Sequence, residues 1–249
     1  MGRIIISKIA IIIPSRLDAV RLPNKPLELI NNKEMILHVY DAAKKTDSEV
    51  YVATPDQKII DVINQNKGKA VLTSADHQTG TDRVYEVFKN HLKSEPNLII
   101  NLQGDMPNIE PQAISNLINY MKDGNCDIGT LASSFSSDDE LADENNVKVA
   151  AKEKLTNGKF SEALDFFRKD SNKYENYYHH VGIYAFTNKA LVRYVSLKRS
   201  KLELERKLEQ LRALENSMSI HVGYVDSSPL SVDTKNDLME VRKIMEKSR

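Results

Sequence analysis

An α/β fold, with a mostly parallel central sheet and helices on both faces, is predicted for this chain by three observations. Apolar runs of strand length recur, amphipathic stretches separate them, and turn residues mark the changes. The first run, residues 9–13, is continuous rather than alternating, as in a strand buried on both faces, and it stops at Pro14. Met35, Val39 and Ala42 then fall at helical spacing, residues 50–53 read as the next strand, and Ile59, Ile60 and Ile63 mark a second helix. Ala70–Leu72 precedes a third helical pattern at Val84, Val87 and Phe88. Leu98–Leu102 is another buried strand, and Ile114, Leu117 and Ile118 return to helical spacing before the strand at residues 128–131. Such repetition folds as a parallel sheet with right-handed crossovers.

From Ser133 to Asn146 the chain turns serine- and acid-rich, which reads as loop and a short capped helix. A small inserted lobe is expected here, over about residues 134–215. Residues 147–151 read as a strand, 160–176 as polar and irregular, and 180–186 (H-V-G-I-Y-A-F) as a strand. Leu204, Leu208 and Leu211 lay an apolar stripe along a helix over 201–215. Ile220–Tyr224 is a late strand, and Leu238, Val241 and Met245 belong to a closing helix. No repeat or low-complexity linker divides the sequence, so residues 1–249 read as one α/β domain carrying the lobe.

Composition excludes several functions. Lys+Arg and Asp+Glu both number 35 and tryptophan is absent, so no net positive field is available for a nucleic-acid backbone. A single cysteine, Cys126, rules out an internal disulfide framework and a cysteine-rich metal site, and it fits a reducing compartment. Cys126 reads as a strand-edge residue rather than a nucleophile. The isoleucines near the N-terminus are interrupted by Lys8, are too few to span a bilayer and precede no cleavage site, so a cytoplasmic location without membrane contact is expected.

Chemistry concentrates where strands end. Beyond the strand at 9–13 come Arg16, Arg21 and Lys25, in a segment stiffened by Pro14, Pro23 and Pro26. Three cations at the carboxyl end of a parallel strand suit a polyphosphate, and a stiff loop loses less entropy on binding; a solvated basic loop is the alternative. Leu98–Leu102 delivers Gln103-Gly104-Asp105, whose carboxylate either holds a divalent cation or belongs to a turn. Asp233, in Ser231-Val232-Asp233-Thr234, either joins it around Mg²⁺ or caps the last helix. The segment His77-Gln78-Thr79-Gly80-Thr81-Asp82-Arg83 opens a helix and either receives an anion or base edge or is a capped start. No G-x-G-x-x-G, Walker lysine, H-E-x-x-H or G-x-S-x-G occurs.

Taken in order, I-I-P-x-R…R-L-P-x-K-P-L, H-Q-T-G-T-D-R, N-L-Q-G-D-x-P, N-x-V-K-V, H-x-G-I-Y, L-E-Q-L-R and V-D-T resemble the 3-deoxy-manno-octulosonate (Kdo) cytidylyltransferases, from about Ile9 to Met245. The resemblance implies a nucleotide-diphospho-sugar transferase-like fold and Mg²⁺-dependent transfer of CMP from CTP to Kdo, releasing pyrophosphate, for lipopolysaccharide biosynthesis. It assigns Arg16, Arg21 and Lys25 to the triphosphate, with Lys25, Arg16, Asp105 and Asp233 as the catalytic set. Asp105 and Asp233 would hold the metal, and Gln78, Gly80, Thr81 and Arg83 would contribute to the nucleotide pocket. Gln103, His180, Tyr184, Glu209 and Gln210 would contact the sugar. By charge, His180 and Arg168 are placed to offset its carboxylate, a satisfied structural histidine being the alternative for His180. The resemblance also implies a homodimer supported by the lobe and the Leu204 helix.

That chemistry needs no covalent nucleophile. A sugar hydroxyl attacks the α-phosphorus while pyrophosphate leaves, so positioning and charge neutralisation dominate. Two departures fall on the acceptor side: Met106 stands where the family has Glu, and Asp165-Phe166-Phe167-Arg168-Lys169-Asp170-Ser171-Asn172 keeps Arg168 but loses the family's Ser and Ile-Pro. The readings left beside Kdo transfer are a cytidylyltransferase for another acidic sugar, 8-amino-Kdo or a sialic acid, and a catalytically weak nucleotide-binding relative.

Overall fold

The computed structural model describes residues 8–18, 21–92, 95–169 and 173–247. The elements begin β1 (Ile9–Pro14), a 3₁₀ turn (Lys25–Leu27), a small hairpin of β2 (Leu29–Ile30) and β3 (Lys33–Glu34), and α1 (Met35–Lys44). Then come β4 (Glu49–Thr54), α2 (Gln57–Gln65), β5 (Ala70–Leu72), α3 (Gly80–His91), β6 (Leu98–Leu102) and α4 (Pro111–Lys122). The chain continues as β7 (Ile128–Ser133), α5 (Asp138–Ala142), β8 (Lys148–Ala151), β9 (Phe160–Phe167), β10 (Tyr177–Thr187) and α6 (Asn188–Ser196). It ends with α7 (Lys201–Arg206), α8 (Leu211–Glu215), β11 (Ile220–Tyr224) and α9 (Lys235–Lys247). Two compact units result: Met1–Ser115 with Pro229–Arg249, and Asn116–Ser228.

In the first unit the strand order is β5-β4-β1-β6 and every pairing is parallel. Ile11 aligns with Val50 on one side and Ile100 on the other, and all six residues of β1 and all five of β6 are buried. That is why these two strands read as unbroken apolar runs. The second unit differs. Its order is β10-β7-β11-β9-β8, only β7 and β11 run parallel, and β8 also pairs with β10, so the ladder closes on itself. The mostly parallel sheet expected is therefore mixed, all parallel among these strands of the first unit and with one parallel pairing among the strands of the second.

Two local expectations are corrected within the second unit, and one helix is added. Residues 160–167 are not irregular but form β9, with Ser161, Ala163 and Asp165 inward and Glu162 and Leu164 exposed. Its alternation is inverted in polarity: the buried carboxylate of Asp165 is met by Arg206 Nη1 at 2.7 Å and the Tyr174 hydroxyl at 3.0 Å. The helix expected over 201–215 is two short helices, α7 and α8. Lys207 takes a left-handed conformation (φ 55°) at the end of α7, which turns the chain and leaves Leu204 53% exposed while Leu208 and Leu211 are buried. The stripe is thus not one continuous face. Helix α6 had no counterpart in the sequence reading, although Thr187 caps it by accepting from Ala190 N–H at 3.1 Å.

Cys126 is buried, its Sγ–H donating to the Ile128 carbonyl at 3.2 Å, and burial pushes the thiol up to about 12. Such a group is an inert core residue. Among the described residues no helix is long and apolar enough to cross a membrane.

Candidate active site

The cations, the two carboxylates and the nucleotide segment meet in one cavity of about 390 Å³ in the first unit, at the carboxyl ends of β1 and β6. Its wall includes Ser15, Arg16, Arg21 and Lys25 from the loop after β1, His77–Gly80 and Arg83 at the start of α3, Gln103–Asp105 after β6, and Asp233 before α9.

Packing explains how so many segments converge. Leu22 and Val232 are buried in the same cluster as Ile30, Met35, Leu238 and Val241, so the loop after β1 and the segment before α9 are held side by side. The backbone N–H of Val232 donates to the Asp105 carbonyl at 2.9 Å, which brings Asp233 beside Asp105. Asn24 adopts a left-handed conformation (φ 59°) and Pro26 fixes the 3₁₀ turn that follows, so Lys25 is presented from a rigid corner.

Lys25 Nζ lies 2.9 Å from Asp105 Oδ2 and 3.0 Å from Asp233 Oδ1, and Arg21 Nη2 lies 2.9 Å from Asp233 Oδ2. Burial works against the charge on Lys25, but Asp105 and Asp233 outweigh it and raise its pKa above the ordinary value. Asp233 does not cap α9: Thr234 accepts from Asp237 N–H, and Asp237 accepts from the N–H groups of residues 233 and 234. Its carboxylate faces the cations instead.

The start of α3 is both a capped helix and part of the wall. Thr79 and Asp82 form a reciprocal capping box, while Gly80 lies against Pro14, where a Cβ would meet Pro14 Cγ at 3.3 Å. Gly104 serves packing as well, since a Cβ there would meet the Pro14 carbonyl at 3.3 Å and Ile36 Cδ1 at 3.2 Å. Thr81 is buried behind the wall and accepts from Asn101 Nδ2 at 3.2 Å. Arg83 reaches the wall but is almost fully buried, with Nη1 donating to Thr73 Oγ1 and to the Ser74 carbonyl. Burial, then Arg16 nearby, lowers its pKa. Sequence reading did not single out His77, whose ring pairs with Glu86, although it begins the quoted motif.

Of the residues assigned to a sugar, Gln103 belongs to this cavity, its amide donating to Asn101 Oδ1 at 3.0 Å. The other five lie in the second unit. His180 and Tyr184 face each other on β10, ring centroids 5.5 Å apart, and Phe166 meets His180 edge-on at 5.1 Å. Burial, with a contribution from Glu209, holds the Tyr184 phenol well above its usual range. Glu209 and the buried Gln210 form the turn between α7 and α8; the Tyr194 hydroxyl donates to the Glu209 carbonyl at 2.8 Å. Arg168 donates to the carbonyls of Glu144 and Asn145 at 3.1 and 3.0 Å. Met106 is buried and absent from the cavity wall, so that departure alters the core and not the lining. Of the other departure, Phe167, which stands where the family has Ser, is buried in β9, whereas Asp170–Asn172 lie outside the described residues.

The surroundings of His180 disfavour the cation expected of it. Burial, and then the neighbouring His179, lower its pKa to about 3. Thr130 gives its one hydroxyl proton to the Ile183 carbonyl at 2.8 Å, so its oxygen accepts from His180 Nε2–H at 2.9 Å and leaves Nδ1 as the acceptor nitrogen. Because the folded pKa lies below the unfolded value near 6.5, the unfolded chain binds the extra proton, and this contribution to stability is present above about pH 6.5 and lost as pH falls toward 3. Denaturation midpoints measured across that window should fall less steeply in His180→Gln than in the wild type.

The comparisons with known proteins bear on the whole chain. A family model described as cytidylyltransferase matches residues 10–220. The 3-deoxy-manno-octulosonate cytidylyltransferase of Bartonella henselae is 41% identical over 239 residues, covering 94% of this chain and 97% of the relative. That of Rickettsia bellii is 42% identical over 243 residues, covering 97% of each. The chain belongs to the 3-deoxy-manno-octulosonate cytidylyltransferase family. A solved structure of a CMP:2-keto-3-deoxy-manno-octonic acid synthetase complexed with CTP superposes with a TM-score of 0.87 at 36% identity, covering 98% of this chain and all of that one. A cytidylyltransferase from Leptospira borgpetersenii, at 16% identity and a TM-score of 0.65, shares the fold. The family's α/β nucleotidyltransferase fold is thus present here with a mixed set of strands.

Proposed function

We propose that this protein transfers CMP from CTP to the anomeric hydroxyl of 3-deoxy-D-manno-octulosonate, giving CMP-Kdo and pyrophosphate. The observation that carries this is the cavity in which Arg16, Arg21 and Lys25 meet Asp105 and Asp233 at the carboxyl ends of buried parallel strands. Family membership supplies the substrates.

The donor set fits a hard cation. Asp105 and Asp233 already converge on one positive charge, the Lys25 ammonium, through one oxygen each. An ion held by two carboxylates would take its remaining ligands from phosphate oxygens and water, as Mg²⁺ does. When bound, such an ion would neutralise charge on the phosphates. Arg16, Arg21 and Lys25 would fix the triphosphate and stabilise the charge that accumulates on departing pyrophosphate as the sugar oxygen bonds to the α-phosphorus. Gln78 and the α3 start would orient the nucleotide, and Gln103 would meet the sugar.

On the acceptor side, His180 would meet the sugar and Arg168 would offset the acid's charge. Tyr184, Glu209 and Gln210 complete the polar set read for the sugar.

A pyrophosphate-release assay with Mg²⁺ tests the reading: CTP with Kdo should turn over, whereas UTP, ATP and GTP with Kdo should not. Absence of release with CTP and Kdo would overturn it. We further propose a cytoplasmic homodimer. Leu208 and Leu211 are buried in the chain's own core, so the apolar stripe does not support it, and the homodimer rests on the resemblance alone. Light scattering at micromolar concentration should give twice the 28.2 kDa chain mass; a monomer would refute the dimer.

A further inference from the structure

We propose that Asp56 is a positioning residue for the triphosphate loop, an inference that rests on reading the cavity as a triphosphate site. Asp56 is the N-cap residue of α2, where an aspartate ordinarily accepts from the first N–H groups of its own helix. It makes no such side-chain bond. Its Oδ2 instead accepts the N–H of Leu17, 39 residues earlier, at 2.8 Å. The corner itself is fixed independently: Asp56 N–H donates to Thr54 Oγ1 at 3.1 Å, and the Asp56 carbonyl accepts from Ile59 N–H at 3.1 Å.

The bond to Leu17 matters because of where it falls. Ser15 N–H donates to the Ala53 carbonyl at 2.9 Å, so the loop after β1 is tied to the end of β4 on both sides of Arg16. Arg16 is held between two backbone anchors and enters the cavity from a fixed main chain. Asp56 is absent from the cavity wall. A bare carboxylate among phosphates would repel them, whereas one facing a backbone N–H beneath the loop orders the cation without meeting the anion. A local cap on α2 is forgone for this long-range tie, which helix stability alone does not explain.

Two substitutions separate the roles. Asp56→Asn keeps an oxygen within reach of Leu17 N–H. Asp56→Ser is too short for Leu17 yet supplies a good N-cap, so it should leave the melting temperature equal or higher. Calorimetry on the whole protein would use CTP and inorganic tripolyphosphate as separate probes. Asp56→Ser should bind both about tenfold more weakly, the loss expected for a hydrogen bond to a charged group, while Asp56→Asn stays within about twofold of the wild type. In turnover, KM for CTP should rise in Asp56→Ser with KM for the acceptor unchanged. Wild-type affinities in Asp56→Ser, equal losses in both variants, or a Ser variant that melts lower and loses everything would each overturn the proposal. Wild-type protein that binds tripolyphosphate but not CTP would overturn the cytidylyltransferase reading and leave this one standing.

Discussion

Asp105→Asn and Asp233→Asn should each lower CTP-dependent pyrophosphate release about a thousandfold, since a metal-phosphate contact contributes several kcal/mol to the transition state. Each change keeps the side chain's shape and removes one hard anionic oxygen from the point where the two carboxylates meet. Neither should unfold the protein, because Lys25 retains the other carboxylate and the surrounding cluster of Leu22, Ile30, Met35 and Val232 is untouched. Steady-state rates alongside melting curves provide the check. Turnover within tenfold of wild type in both variants would remove these residues from the metal role.

Lys25→Ala should cost about 10²- to 10³-fold in kcat/KM for CTP, the scale of losing one preorganised charge at a reacting centre. A rate within tenfold of wild type would return Lys25 to a solvated loop.

Legibility in the sequence followed from how each residue is used. Strands β6 and β11 carry the bounds read from the chain because their burial is continuous or plainly apolar, and Asp105 and the three cations were found because a parallel strand points its carboxyl end at a ligand. Asp56 sits at the corresponding end of β4, so the same rule reaches it; its Val-Ala-Thr-Pro-Asp context lacks a glycine or a basic neighbour to draw attention. Strand β9 escaped because it buries Ser161 and Asp165 and exposes Leu164, reversing the cue on which alternation depends. The break between α7 and α8 escaped for another reason. Lys207 is not a residue that announces a left-handed turn, and the turn is held by tertiary bonds: Glu203 takes a bidentate contact from Arg212 and a third from Arg199, while Tyr194 secures Glu209. Periodicity cannot report bonds between side chains 9 residues apart.

The burial of Cys126 has a practical side. It is the sole cysteine in the sequence, and with its thiol pushed up to about 12 it holds almost no thiolate at neutral pH. Maleimide dyes and spin labels therefore meet a silent background in the native protein. A cysteine introduced at Leu72, which is 58% exposed, becomes the single labelling point on each copy. Distances between two such labels in solution would test whether chains pair without any cysteine first being removed.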